Sequence, residues 1–400
     1  MTKTMRIALA GLVIGVAVQP LAYSEEKVGQ PFRFSVGTHA TFTDNRDSVK
    51  VNKQSNTDIF VSPRVDYVFN DGKNQFRLFY VPSFRYRTDA GDNGDSTAWH
   101  HNFGMKGTLA VTERSRIRFT EKYDYNDDSA IKVGGAVVRG NHTYGENTAL
   151  LGFNTDLYKY SNLDFSIKNN VKRFSDDVIA KTSDENITTV DAAHRYQITQ
   201  TLRSVLGATY GLYSYDNSLN RDFYSLTGTV GLENDFTPTT MGSVRVGYQN
   251  ANYDDSSVDS KNEPYAKVAI SSQTGADLNI GASVEHGIRD TDAYPFTSQV
   301  YSEFGLFGHL DITPSLALHG TGIYRKSEYD KEDIPAAARG INFVGKNGGD
   351  DTTIVLDAML DYSIVENLSL YIGYRYEDID SEVGQSYTKN SGRLGAALNF

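Results

Sequence analysis

The sequence predicts an all-β transmembrane antiparallel β-barrel of about 18 strands, with 16 the nearest alternative. Three observations carry that prediction. The composition is aromatic, glycine-rich and free of cysteine. Hydrophobicity alternates with period two along nearly the whole chain. Connections alternate between short turns and long acidic loops. Of the 400 residues 39% are hydrophobic, yet 12% are aromatic, with 26 Tyr and 20 Phe. Disordered chains are depleted in rings, and Tyr, Phe, Thr, Gly and Asn are strand and turn residues rather than helix formers. The formal charge of −11 argues against a nucleic-acid partner, because phosphate binding needs a positive footprint. The absence of Cys removes disulfides, thiolate metal sites and cysteine nucleophiles together.

Taken in order, the first element reads as a cleavable export signal over residues 1–24. Lys3 and Arg6 precede the uncharged, mostly apolar run Ile7 to Val18; Pro20 breaks it, and Ala22-Tyr23-Ser24 supplies the small residues of a cleavage site. The run is too short to span a bilayer as a helix. Residues 25–400 then read as a single barrel with no linker or second domain.

The strands follow. From Phe32, one face reads Phe32, Phe34, Val36, Thr38, Ala40, Phe42, and the other Arg33, Ser35, Gly37, His39, Thr41. Phe76, Leu78, Tyr80, Pro82, Phe84 and Tyr86 oppose Arg77, Ser83, Arg85 and Arg87. Leu163, Phe165, Ile167 and Val171 oppose Asp164, Ser166, Lys168 and Lys172; Leu370, Ile372, Tyr374 and Tyr376 oppose Ser369, Gly373, Arg375 and Glu377. Period two over such lengths is a strand signal. Short connections fall at Asn70–Asn74, Thr112–Ser115, Thr237–Thr240, Thr313–Ser315 and Val365–Asn367, and long ones at Asp89–Thr97, Ser175–Asn186, Asp254–Glu263 and Asp330–Asp351. That layout is of an outer-membrane barrel with short periplasmic turns, long extracellular loops and both termini on the periplasmic side. Phe236-Thr237-Pro238 and Ile312-Thr313-Pro314 form an echo that points to one hairpin grammar used repeatedly. A secreted β-sandwich or β-solenoid is the rival; long uniform strands with aromatic ends count against it. The final strand closes on Leu394, Ala396, Leu398 and Phe400 on one face, a terminal aromatic pattern of the kind by which barrel-assembly machinery recognises its clients.

Placing the apolar positions toward lipid puts the alternate ones in the lumen. They include Arg64, Arg77, Arg85, Arg87, Lys106, Arg116, Arg118, Lys122, Arg245, Arg325 and Arg375. Carboxylates read as fewer there, among them Asp66, Asp164, Glu233, Asp277, Glu285, Glu303 and Asp357, whereas Asp92, Asp127, Asp290, Asp292, Glu332 and Asp333 fall in external loops. A basic inner wall is expected, either solvating a channel or attracting an anionic solute or polysaccharide through the two-pronged Arg fork. Tyr301 and Phe307, with Phe60, Phe79 and Tyr371, are candidate lumen rings, for stacking on sugars or for packing. Among the eight His, none lies in a metalloprotease motif, and neither a nucleophile elbow nor a phosphate loop occurs. His309, on an inner face, reads as a lumen hydrogen-bonder. The cluster Asp89 to Asp95 has the oxygen donors of a calcium loop without its spacing. No enzyme, cofactor or metal is expected.

The strand–Thr-Pro–strand units Gly231 to Tyr253 and Gly308 to Tyr329 join the pairs Gly247-Tyr248 and Gly373-Tyr374 and the closing run Gly392-Arg393-Leu394 to Phe400. Together they resemble the putative beta-barrel porin type 2 family of outer-membrane barrels. That resemblance implies association with exopolysaccharide or capsule export: an exit conduit beside a periplasmic polysaccharide export protein, in the lipid and lipopolysaccharide of a Gram-negative outer membrane. It carries over no catalytic residues. A general diffusion porin and a surface adhesin are the alternatives.

Overall fold

Eighteen antiparallel strands close into one sheet, with β1 paired to both β2 and β18. The computed structural model describes residues 31–90, 95–127, 143–215, 221–275, 277–291, 293, 295–335 and 347–400; the export signal lies outside them. The strands are β1 (Phe32–Thr43), β2 (Asn56–Asn70), β3 (Gln75–Arg87), β4 (Thr97–Ala110), β5 (Ser115–Asn126), β6 (Tyr144–Tyr158), β7 (Ser161–Phe174), β8 (Glu185–Gln197) and β9 (Leu202–Tyr215). The second half holds β10 (Phe223–Thr237), β11 (Thr240–Tyr253), β12 (Lys261–Thr274), β13 (Leu278–Asp290), β14 (Ser298–Thr313), β15 (Leu316–Asp330), β16 (Gly348–Val365), β17 (Leu368–Ser381) and β18 (Tyr387–Asn399). Among the described residues no helix is long and apolar enough to cross a membrane.

The repeated hairpin grammar is present. Four short turns share one construction, in which the register shifts just before a two-residue connection: Asp156/Tyr158, Asp235/Thr237, Asp311/Thr313 and Ser363/Val365. Such a bulge increases local twist and lets the chain reverse tightly. At one of them the Thr237 hydroxyl accepts from the Thr240 amide at 2.9 Å.

Outward faces are apolar, as a lipid-facing wall requires. Phe32, Tyr67, Phe76 and Phe119 form a chain of ring contacts toward the periplasmic end, and Tyr80, His101 and Tyr125 another toward the extracellular end. Glu121 breaks the pattern. It faces outward between Phe119 and Tyr123, accepting from the Asn147 side chain at 2.8 Å. A second seam is opened by two prolines: the β2–β3 ladder lapses between Val61–Phe84 and Val65–Tyr80, where Pro63 and Pro82 have no N–H to give. The Ser62 hydroxyl, donating to Ser83 at 2.8 Å, stitches the gap from inside.

The C-terminal strand closes the ring. Leu398 pairs with Val36, Ala396 with Thr38 and Leu394 with Ala40, and the Phe400 amide donates to Phe34 O at 2.9 Å. Leu394, Leu398 and Phe400 are exposed on the outer surface.

Candidate functional site

The lumen holds a cavity of about 2710 Å³, well above the 300–1,000 Å³ of ordinary ligand pockets. Strand parity turns every predicted lumen cation inward, and Arg64, Arg87, Arg116, Arg118, Lys122, Arg245 and Arg375 line the cavity, but most of the cations are tied to carboxylates. Asp66 accepts from Arg64 and from Arg77 Nε, the latter at 2.7 Å. Arg87 grips Asp58 with two bonds of 2.8–2.9 Å, and Arg85 grips Asp127. Arg118 pairs with Asp164 at 3.1 Å, Lys122 with Asp124 at 2.7 Å and Arg245 with Glu233 at 3.0 Å. Arg325 meets Glu303 at 2.8 Å and Arg375 meets Glu377 at 2.6 Å. The expected basic wall is therefore corrected: Asp58, Glu146, Glu185, Asp235 and Asp361 also face inward, while Asp277 sits in the β12–β13 turn instead. Period-two reading located the arginines; it undercounted carboxylates near strand ends, where polar faces merge into loops.

Six inward strand cations have no ion pair among the described residues: Arg33, Lys106, Arg116, Lys168, Lys389 and Arg393. They are staggered along the bore. Lys389 lies in the extracellular half, Arg393 and Lys168 midway along β18 and β7, and Arg33, Lys106 and Arg116 toward the periplasmic end.

The largest departure from a plain barrel is at β13–β14. The β12–β13 ladder stops at Ala266–His286. Above it, the hairpin leaves the wall and leans inward over the extracellular end of the lumen. Gly287 sits at the departure, its position hemmed by Gln249 and Tyr265. Gln249, on the inner face of β11, replaces the lost strand: its amide donates to Ile288 O at 2.9 Å and accepts from Ile288 N at 2.8 Å. Beyond this point Thr291, Phe296, Thr297 and Ser298 are fully buried. Arg221, in the β9–β10 connection, donates to Phe296 O and Thr291 O at 2.9 and 3.1 Å. The Tyr253 and Ser298 hydroxyls meet at 2.6 Å, and Thr297 donates its hydroxyl to Asp333 O at 3.0 Å. Ile288 and Val300 pack on Tyr215, Phe223 and Ala251. Lys261 bridges the notch left in the wall, reaching Asp330 and Asp333 at 2.7 and 2.8 Å. The sequence carried hints of this: an unusually apolar tip, Ala293, Pro295 and Phe296, among acidic loops, and Pro264 in the β12 segment left without a β13 neighbour.

The lumen rings lie flat. Phe79 covers Gly104, Phe307 covers Gly281 and Tyr371 covers Gly395, each leaving no room for a Cβ. Phe60 stacks on His39 with centroids 4.5 Å apart. Tyr301 carries the Arg289 guanidinium 3.2 Å from its ring centre, anchoring the inward hairpin. His309 does hydrogen-bond in the lumen, to His319 on the next strand.

Of the acids expected in external loops, two are buried instead and a third is half-buried. Asp290 lies on the inward hairpin and Asp333 under it. Asp127 is half-buried; burial alone would raise its pKa, but the His100 hydrogen bond and Arg85 outweigh that and hold it at about 2. Burial likewise pushes the Asp333 carboxyl above its usual value, against Lys261. Most of the Asp89–Asp95 cluster, with Asp92 and Asp292, lies outside the described residues; Asp89 itself receives Arg46 at 3.0 Å.

The fold is similar to solved outer-membrane barrels at low identity. OccK2 (OpdF) of Pseudomonas aeruginosa superposes with a TM-score of 0.46 at 10% identity, covering 92% of this chain and 97% of that one. OccK5 (OpdH) of the same organism gives 0.45 at 12%, covering 92% and 98%. The FrpB iron transporter from Neisseria meningitidis, F5-1 variant, gives 0.47 at 10%, covering 93% and 82%. No curated protein matches the sequence. The family model described as Putative beta-barrel porin 2 matches residues 32–400, and the chain belongs to that family of porin-type barrels.

Proposed function

We propose that this chain is a porin of the Gram-negative outer membrane, passing small anionic solutes without transforming them. The observation that carries this reading is the stagger of unpaired cations Lys389, Arg393, Lys168, Lys106 and Arg116 along a bore narrowed by the inward hairpin. Conduction needs contacts that are favourable yet easily broken. A cation without a fixed carboxylate partner offers such contacts, whereas the locked pairs Arg87–Asp58 and Arg85–Asp127 do not. Lipopolysaccharide would surround the apolar band, and the assembly machinery would read Leu394, Ala396, Leu398 and Phe400. The test is the reversal potential of the reconstituted barrel under a salt gradient. Anion selectivity in the wild type, lost in a Lys106→Gln/Arg116→Gln/Lys168→Gln variant, is expected; an unchanged potential would sink the reading.

A second reading, the exit conduit for an acidic exopolysaccharide working with a periplasmic export protein, has one observation in its favour. The β13–β14 hairpin is held by side chains rather than by a ladder to β12, so widening the bore for a polymer would break side-chain contacts and not a sheet ladder. Its present inward position places this reading second. Deleting the chain and measuring periplasmic against secreted polysaccharide decides it: build-up restored by complementation supports export, and normal secretion removes it.

A further inference from the structure

We propose that His309 and His319 form a binding site for a transition-metal dication of the Zn²⁺ type on the periplasmic half of the lumen wall. The two residues stand directly opposite each other on β14 and β15, with both side chains inside the barrel. Their Nδ1 atoms face each other at 3.1 Å. On the far edge of each ring stands a carboxylate: His309 Nε2 is 3.1 Å from Asp311, and His319 Nε2 is 3.2 Å from Asp361. About a third of each imidazole is exposed, so solute in the bore reaches it.

Those distances create a conflict that a cation resolves. A carboxylate beside Nε2 favours the tautomer with its proton there. If both rings obey their carboxylates, two Nδ1 lone pairs point at each other. Something positive must sit between or beside them, either a proton on one ring or a metal ion shared by both. Two nitrogens bound tetrahedrally at roughly 2.0–2.1 Å from zinc lie about 3.3 Å apart, close to the separation already present. A carboxylate behind a ligating imidazole is also the usual orienting device of metal sites, fixing tautomer and ring direction.

The local charge agrees. Asp311 and Asp361 supply two negative charges; the approach of Asp361 to His319 Nε2 at 3.2 Å is a charge contact and not an aligned hydrogen bond, so its oxygens keep acceptor capacity to spare among the described residues. Imidazole donors select Zn²⁺, Cu²⁺ and Ni²⁺ over Mg²⁺ and Ca²⁺. No cluster of three or more protein donors converges among the described residues, so the remaining positions belong to water or to passing solute. The site is therefore open and exchangeable. An occupied site adds two positive charges to the wall and couples conduction to metal availability on the periplasmic side.

The test uses the full barrel, purified in detergent. Titration with Cu²⁺, followed by electron paramagnetic resonance, should show one saturable site with two-nitrogen coordination, displaced by Zn²⁺ and not by Mg²⁺. His309→Gln and His319→Gln should each abolish it, and Asp361→Asn should weaken it by about 10–100-fold, as for orienting carboxylates elsewhere. In planar bilayers, micromolar Zn²⁺ on the periplasmic side should alter wild-type conductance and leave the His309→Gln/His319→Gln barrel unaffected. Heat-modifiable mobility on gels checks that the variants remain folded barrels. No saturable binding by the wild type, or binding that persists in the folded double variant, would overturn the proposal. Neither result depends on which solute the barrel carries.

Discussion

The side-chain amide of Gln249 makes both backbone hydrogen bonds of Ile288 that a neighbouring strand would otherwise make, at 2.9 and 2.8 Å. One side chain thus caps the open edge of β13 where β12 has parted from it. The inward hairpin depends on that substitution, because a buried backbone donor or acceptor without a partner costs about 1–3 kcal/mol.

Gln249→Leu should release the hairpin. The expected outcome is a larger or noisier single-channel conductance with the barrel still folded, since the β11–β12 ladder runs past residue 249 undisturbed. Conductance identical to wild type would show that Arg221 and Tyr253 hold the hairpin without it.

Arg85 and Lys168 should behave oppositely on mutation. Arg85 is buried against Asp127, so Arg85→Gln leaves that carboxylate with His100 as its remaining side-chain partner and should lower stability by about 1–3 kcal/mol, with little change in ion selectivity. Lys168 has no ion pair, and Lys168→Gln should shift selectivity away from anions at nearly constant stability. Denaturant midpoints measured beside reversal potentials separate the two; a selectivity change from Arg85→Gln with intact stability would contradict the assignment.

Asp127 sets an acid limit on the extracellular rim. Its folded pKa is about 2, below the ordinary aspartate value of 3.8. A depressed carboxylate pKa contributes stability that is complete above the unfolded value and disappears as pH falls through the folded one. The loss should therefore run between about pH 4 and pH 2. Asp127→Asn should flatten that part of the stability profile; an unaltered profile would assign the acid transition elsewhere.

Glu121 should be a net cost to the barrel. It faces the lipid band, accepting from the Asn147 side chain, and a carboxylate on that surface is unfavourable. Replacing both, Glu121→Leu with Asn147→Leu, should raise the unfolding midpoint by the equivalent of about 1–2 kcal/mol. A lower midpoint would mean that this patch is covered by something other than lipid.

Much of the architecture was legible in the sequence. The strand count, closure, short turns and inward or outward sense of each strand follow from alternation, because a period of two admits only one assignment of faces once lipid takes the apolar one. Partnerships were not legible. That Arg77 shares Asp66 with Arg64, or that His309 meets His319, depends on register between strands and on rotamers, neither of which alternation encodes. Asp290 read as an exposed loop acid because the apolar tip Ala293, Pro295 and Phe296 beside it hints at burial without reporting that β12 ends its pairing at Ala266. The inward hairpin is a tertiary choice, made by Gln249, Arg221 and Tyr253 from three different places in the chain.

The rings laid over Gly104, Gly281 and Gly395 make glycine the gauge of the pore's width. Each ring rests on the wall only because the residue beneath it has no side chain. A single methyl added at any of the three would tip an aromatic plate toward the axis, throttling flow without touching a charge. In a lineage of such barrels, exchange of glycine for alanine under a ring would be a simple route to a narrower filter.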